Sequence, residues 1–276
     1  SGVTILNCAF KWFLNVELED LLLNIKVTGI DAIKSAATEG LISVFHVYKP
    51  DEVEKLGGIT PHTYLNYQYA IRSPAFLIIE GVELENFYWN TAALSLVNTV
   101  NISVKTIVIS DSGKYTGDLE NFAYNTLVDD ADNYIIDPRQ SPVTLSCESG
   151  IDLDSTSGAS FIDITFSKIS CVGVAGLIVD EHSGKFTISN WKFTDISSSS
   201  KLCALINLFG MDGSSQVLLD KIYAENISNN SGGGILSFYL GSITISNSQF
   251  KSIKASSTAG MNFLESVVVE ISNVVF

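Results

Sequence analysis

The chain has 276 residues, 46% of them hydrophobic and 17% charged, which is ample for a sizeable core and too apolar for a disordered polymer. Thirty acidic residues against sixteen basic ones leave a net charge of −14, and the arginines are Arg72 and Arg139 alone. Nucleic acid is thereby excluded as a partner, because that affinity comes from Lys and Arg neutralising phosphates.

The first element is VTILNCAFKWF at 3–13, an alternating apolar stretch, followed by IKSAATEGLISVF at 33–45. Next, 46–74 holds three of the five prolines and reads as an excursion with a short helix: Pro50 opens it, Asp51 and Glu52 fill its first turn, and Gly57 follows its end. Alternation returns over 77–110. A second excursion is expected over 111–142, where the other two prolines and most of the acidic density lie. From 143 to 276 the chain repeats itself: SFIDITFSKIS at 160–170, FTISNWKFTDI at 186–196, VLLDKIYAENI at 217–227, ITISNSQFKSI at 243–253 and VVEISNVVF at 268–276. No apolar run reaches 18 residues, so no membrane span is expected. The chain opens without an initiator Met, a basic n-region or an apolar h-region, the pattern of a processed chain or of a piece of a longer one.

The repeat carries the fold. Its Phe slot falls at Phe166, Phe193, Ala224, Phe250 and Phe276, intervals of 27, 31, 26 and 26 residues. Each unit contains two or three short period-2 segments rich in β-branched residues and bounded by Gly, Ser and Asn, not one long amphipathic segment with 3.6 spacing. Short strands at that period form the rungs of a parallel β-helix, each strand pairing with its counterpart about 4.8 Å away. The expected architecture is one all-β, right-handed parallel β-helix over 1–276, with nine or ten rungs.

In-register stacking predicts that Asn7, Asn190, Asn247 and Asn273 form an asparagine ladder at a sharp bend, amide bonded to amide. It also predicts an interior aromatic file of Phe10, Phe193, Phe250 and Phe276, and a neighbouring file containing Phe13, Ile33, Ile196 and Ile253. Small residues, Gly40, Gly176, Gly234 and Gly260 with Ala93 and Ala204, mark the tight turn into the next strand. Cys8, Cys147, Cys171 and Cys203 lack metal-binding spacing and read either as buried hydrophobes or as one or two disulfides.

The ITISNSQFKSI and SGGGILSF elements resemble the repeats of the pectin-lyase-like parallel β-helix superfamily, most of all those of polymorphic outer-membrane and other repetitive surface proteins. The similarity covers about 3–45, 77–110 and 143–276. It implies the solenoid fold and leaves the activity open, because such folds host lyases, hydrolases, adhesins and fibres.

The candidate chemistry is sparse. Paired carboxylates are needed for glycoside hydrolysis, but Asp129, Asp130 and Asp132 lie in an excursion, and the family's Arg-x-Lys pattern has no counterpart. Asp180, Glu181 and His182 read as a turn, and His46, His62 and His182 as turn or surface histidines. Asp152 and Asp154 before Gly158 make a partial oxygen cage without EF-hand spacing. No catalytic residue, metal site or cofactor is expected. Sequons at Asn101, Asn226 and Asn229 are candidate N-glycosylation sites.

Both ends carry the same repeat phrase and neither carries a polar cap, so an end-to-end junction is expected at Asn7, Phe10 and Phe13 on one side and Asn273 and Phe276 on the other. The reading is an extracellular or cell-surface structural or adhesive element whose partner is a second copy, head to tail, or further repeats of a longer chain. The alternative is a polysaccharide-binding or polysaccharide-degrading protein acting through the two excursions, with glycans as partners.

Overall fold

A computed structural model describes residues 2–18, 25–46, 76–97, 99–117, 143–209 and 211–276. Its strands are β1 Val3–Leu6, β2 Ala9–Leu18, β3 Ile25–His46, β4 Leu77–Trp89, β5 Ala92–Val97, β6 Val100–Gly113, β7 Tyr115–Gly117 and β8 Val143–Leu145. They continue as β9 Ser149–Cys171, β10 Val174–Ser198, β11 Ile206–Leu208, β12 Gln216–Asp220, β13 Tyr223–Asn229, β14 Leu236–Ala255 and β15 Met261–Val275. Among the described residues every ladder is parallel except β7 with β8. The molecule is a parallel β-helix.

One face shows the winding. Leu14, Ile42, Leu94, Ile151, Leu177, Ile206, Leu236 and Met261 lie in a single file, which marks about seven turns. The face through Val3 and Val274 is crossed once more and adds a partial turn. Nine or ten rungs were expected; among the described residues the files mark about seven turns.

The long strands bend, and the bends have a simple cause. Positive φ recurs in two columns, one through Gly29, Gly81, Thr106, Asp163, Asn190, Lys221, Asn247 and Asn273, the other through Asn7, Lys34, Asn86, Asp111, Lys168, Asp195, Asn226 and Ser252. Where both columns are occupied in a rung, the two corners are five residues apart. A single left-handed residue turns the chain sharply, and Gly, Asn and Asp enter that region at the lowest steric cost. It also resets the alternation: Phe186 and Ile188 point inward, then Trp191 and Phe193, then Ile196. Interior residues are two apart along a side and three apart across a corner.

A serine just after the left-handed residue braces several corners. Ser35 Oγ accepts from the Cys8 amide at 3.1 Å and donates to the Ile33 carbonyl at 3.0 Å. Ser248 does the same between the Ile222 amide and the Ser246 carbonyl, at 3.0 and 2.7 Å. These bonds satisfy backbone groups that the bend removes from the ladder.

The interior is apolar and rich in aromatic rings. Phe166 stacks on Phe193 at 5.2 Å, and Phe250 on Phe276 at 5.4 Å. Phe161 packs on Phe186, with Trp191 edge-on to Phe161. Each fully buried ring contributes roughly 2–3 kcal/mol of transfer free energy.

Several expected placements are corrected. Val3 pairs in register with Ile30, and that file runs through Val82, Ile107 and Ile164 to Trp191. The VTILNCAF phrase is therefore five residues out of its expected phase. Asn7 lies in the second corner column with Asp195, not in the first with Asn190. Phe10 lies in the file of Ala37 and Trp89 and not with Phe193, whose counterparts at that end are Ile5 and Ala32. Ile33 is half-buried, and Ser35 takes its expected place in the file of Ile196 and Ile253. The error has a physical origin: the two corners need the same residue chemistry, so one Asn fits either.

The second excursion begins later than 111. Ser112 and Gly113 still pair with Ile169 and Ser170, and β7 and β8 then form an antiparallel neck over 115–117 and 143–145. Asp111 and Gly113, which look like loop residues, are left-handed bends of the solenoid. The first excursion, with the helix expected after Pro50, lies outside the described residues.

Candidate functional site

The ladder residues combine two kinds of contact. Asn273 Nδ2 donates to Asn247 Oδ1 at 2.8 Å, the expected amide-to-amide rung. Asn247 in turn donates to Asp220, at 2.8 Å, and Asn190 donates to Asp163 at 2.6 Å. In the other corner column Asn226 donates to Asp195 at 3.0 Å, and Lys168 pairs with Asp111 at 3.1 Å. The corners are thus braced mainly by amide or ammonium donors on carboxylates. At Asp220 the Asn247 amide and the Ser246 hydroxyl hold the carboxyl below its ordinary range. Phe193 and Phe250 are both buried but are separated by Ala224, so the aromatic file is interrupted.

The two described end rungs expose apolar edges. At one end Val3, Leu6 and Phe13 are exposed, while Phe10 is half-buried against Phe13 and Phe87 at 6.1 and 6.0 Å. At the other, Val268, Ile271, Val275 and Phe276 are exposed, Phe276 to 71%. A cavity of about 530 Å³ opens there, lined by Ile235, Phe250, Ile253, Gly260 and Phe276 among others. Asn7, Phe10 and Phe13 therefore gather at one end, and Asn273 and Phe276 at the opposite end.

The three sequons differ. Asn226 is exposed at a corner, and Asn101 is half-buried with φ of 52°. Asn229 is buried: its amide donates to the Ser200 and Gly233 carbonyls at 3.0 and 2.8 Å, and its Oδ1 accepts from the Ser231 and Gly232 amides.

His182, expected in a turn or on the surface, is fully buried within β10. Its Nδ1 lies 2.8 Å from Thr156 Oγ1, and its ring meets Phe186 edge-on at 4.9 Å. Asp180 and Glu181 point outward while His182 points in, so the three do not converge. The side chain of His46 is not described, and His62, Arg72, Asp129, Asp130, Asp132 and Arg139 lie outside the described residues. Cys147 and Cys171 form a disulfide between adjacent rungs. Cys203 is a buried thiol pushed up to about 12 by desolvation, and Cys8 is a second free cysteine.

One surface feature has no signature in the repeat. On the face of β10, β11, β14 and β15, exposed Phe209 stacks on Tyr239 at 5.1 Å, and Leu264 follows one rung on. Asp154 and Asp180 are register partners in the preceding rungs of that face. Asp152 sits two residues from Asp154, and burial, Asp154, Asp180 and Glu148 push its carboxyl up to about 6. Among the described residues no group of three or more His, Cys, Asp and Glu side chains is arranged to hold a metal ion. None of the helices needed for a helical membrane span occurs there either.

The fold defines the class: a parallel β-solenoid. Protein-family models and curated proteins were both compared with the chain, and nothing matches it.

Proposed function

We propose that the chain is a structural element of an extracellular or cell-surface assembly, in which its end rungs stack on further rungs of another copy or of its own longer chain. The observation that carries this is the β15 edge, where Val268, Ile271, Val275 and Phe276 lie exposed beside backbone groups on its outer side. An apolar parallel edge is a template for another strand. The opposite edge, with Val3, Leu6 and Phe13, is a different surface, so contact between the two does not close on itself and propagates. A disulfide between adjacent rungs fits an oxidising compartment. The resemblance of the repeat phrase to surface proteins of the pectin-lyase-like superfamily points the same way.

Electron microscopy of the native material tests this. Linear assemblies are expected, and Ile271→Lys with Val275→Lys should disperse them while leaving circular dichroism unchanged. Discrete single-chain particles carrying an accessible β15 edge would refute the reading. The second reading, glycan binding, draws support from the Phe209–Tyr239 pair beside Asp180, since sugar rings stack on aromatic faces while carboxylates accept from hydroxyls. It predicts that Phe209→Ala with Tyr239→Ala abolishes retention on polysaccharide matrices.

A further inference from the structure

Of the three sequons, the fold treats one as an outward-facing group and another as an internal brace. Asn226 lies in the corner column, exposed, with φ of 58°, so its side chain projects off the edge of the solenoid. Ile227 beside it is anchored in the core at 1% exposure, which fixes the direction of that projection. Ser228, which completes the sequon, is exposed, and its hydroxyl donates to the Ile196 carbonyl at 3.3 Å. In the next rung the same corner is Ser252, a small exposed residue that leaves space alongside.

We propose that Asn226 is an N-linked glycan acceptor and that Asn229, three residues later, is not. The transfer forms a bond from Asn226 Nδ2 to the anomeric carbon of an oligosaccharide and breaks the bond from that carbon to a lipid pyrophosphate. Nδ2 gives up one of its two protons, which the departing lipid pyrophosphate or solvent takes up. The remaining N–H still donates to Asp195 Oδ1, now 3.0 Å away, so the corner brace survives the modification. Asn229 has no such freedom, because both of its amide hydrogens are committed to the Ser200 and Gly233 carbonyls inside the turn. A sugar there would remove one of these bonds and would need a volume that a residue at 3% exposure does not have. Asn101 is intermediate: it is half-buried, and a side chain at the neighbouring Gly158 would already come within 3.6 Å of its Oδ1.

The inference rests on the extracellular reading in one respect, since only a chain entering a secretory route meets the transferase. It places the glycan on a lateral edge, away from the end rungs, so glycosylation and end-to-end stacking are compatible.

The test expresses the full chain behind a secretion signal in a eukaryotic host and recovers it from cells and medium together. Enzymatic deglycosylation in heavy-oxygen water converts each occupied Asn to a labelled Asp, which peptide mapping locates. Label at Asn226 and none at Asn229 is expected, and Ser228→Ala should remove the Asn226 label with an unchanged circular dichroism spectrum. Asn229→Gln should lower the unfolding temperature and leave the glycan mass unaltered. An unlabelled Asn226, or any label at Asn229 in folded protein, overturns the proposal. Microscopy of the same preparation reports on stacking separately, so loss of the site and loss of the structural reading give different results.

Discussion

Replacing Asp152 by Asn should stabilise the protein at neutral pH. Asp152 lies in register with Ser95 in one neighbouring rung and Ile178 in the other, two residues from Asp154, which is itself paired with Asp180. Burial first, then the charges of Asp154, Asp180 and Glu148, move its carboxyl from 3.8 up to about 6. Because the folded value is the higher one, the native state binds the proton more tightly than the unfolded chain does. Stability is therefore greatest below about pH 4 with respect to this group, and it declines as pH rises from there through 6. The shift of about 2 units corresponds to roughly 3 kcal/mol, and residual solvent exposure reduces this to about 1–2 kcal/mol. For a chain of this size that is an increase of about 2–8 °C in midpoint. Thermal unfolding of both proteins, followed by circular dichroism from pH 4 to 8, is the assay. The variant should gain at pH 7 and lose its advantage towards pH 4. An equal difference at both pH values, or no gain at pH 7, would show that the stacked carboxylates do not interact as described.

Other outcomes follow from the corners and the core. Thr106 is an exposed β-branched residue held at φ of 55°, so Thr106→Gly should stabilise by about 1 kcal/mol, read from chemical denaturation midpoints. Gly176 has no such latitude: a Cβ there would sit 2.4 Å from the Leu205 carbonyl oxygen and 2.8 Å from the Phe193 ring. Gly176→Ala should therefore cost about 1–3 kcal/mol in the same experiment. Phe250→Asp buries an unpaired carboxylate against Phe276 and should abolish the folded circular dichroism signal. Lys251→Asp next to it should cost only about 0.5–1 kcal/mol, the value of an exposed ammonium 5.6 Å from the Tyr223 ring. If Lys251→Asp is the variant that unfolds, the inside and outside of β14 have been exchanged.

The sequence by itself determined the fold class, the period near 26 residues and the inward side of the later rungs. From Phe166 onwards the spacing of Phe193, Ala224, Phe250 and Phe276 is the register that the strands adopt. Those properties were legible because alternation and repetition are local, written within each rung and copied to the next. Phase in the opening rungs was not legible. The corner containing Asn190 and the corner containing Asp195 both require a left-handed residue, and Asn7 satisfies either requirement in isolation. Only pairing with Ile30–Ile33 decides between them. Tertiary structure likewise decided that Cys147 meets Cys171, that His182 faces inward beside Thr156 and Phe186, and that Phe209 meets Tyr239 on one face. It also separated Asn226 from Asn229, identical as motifs and opposite in burial. Each of these depends on which residue stands one rung away, some 24 to 31 positions distant. Strand pairing supplies that neighbour, and no window of local sequence contains it.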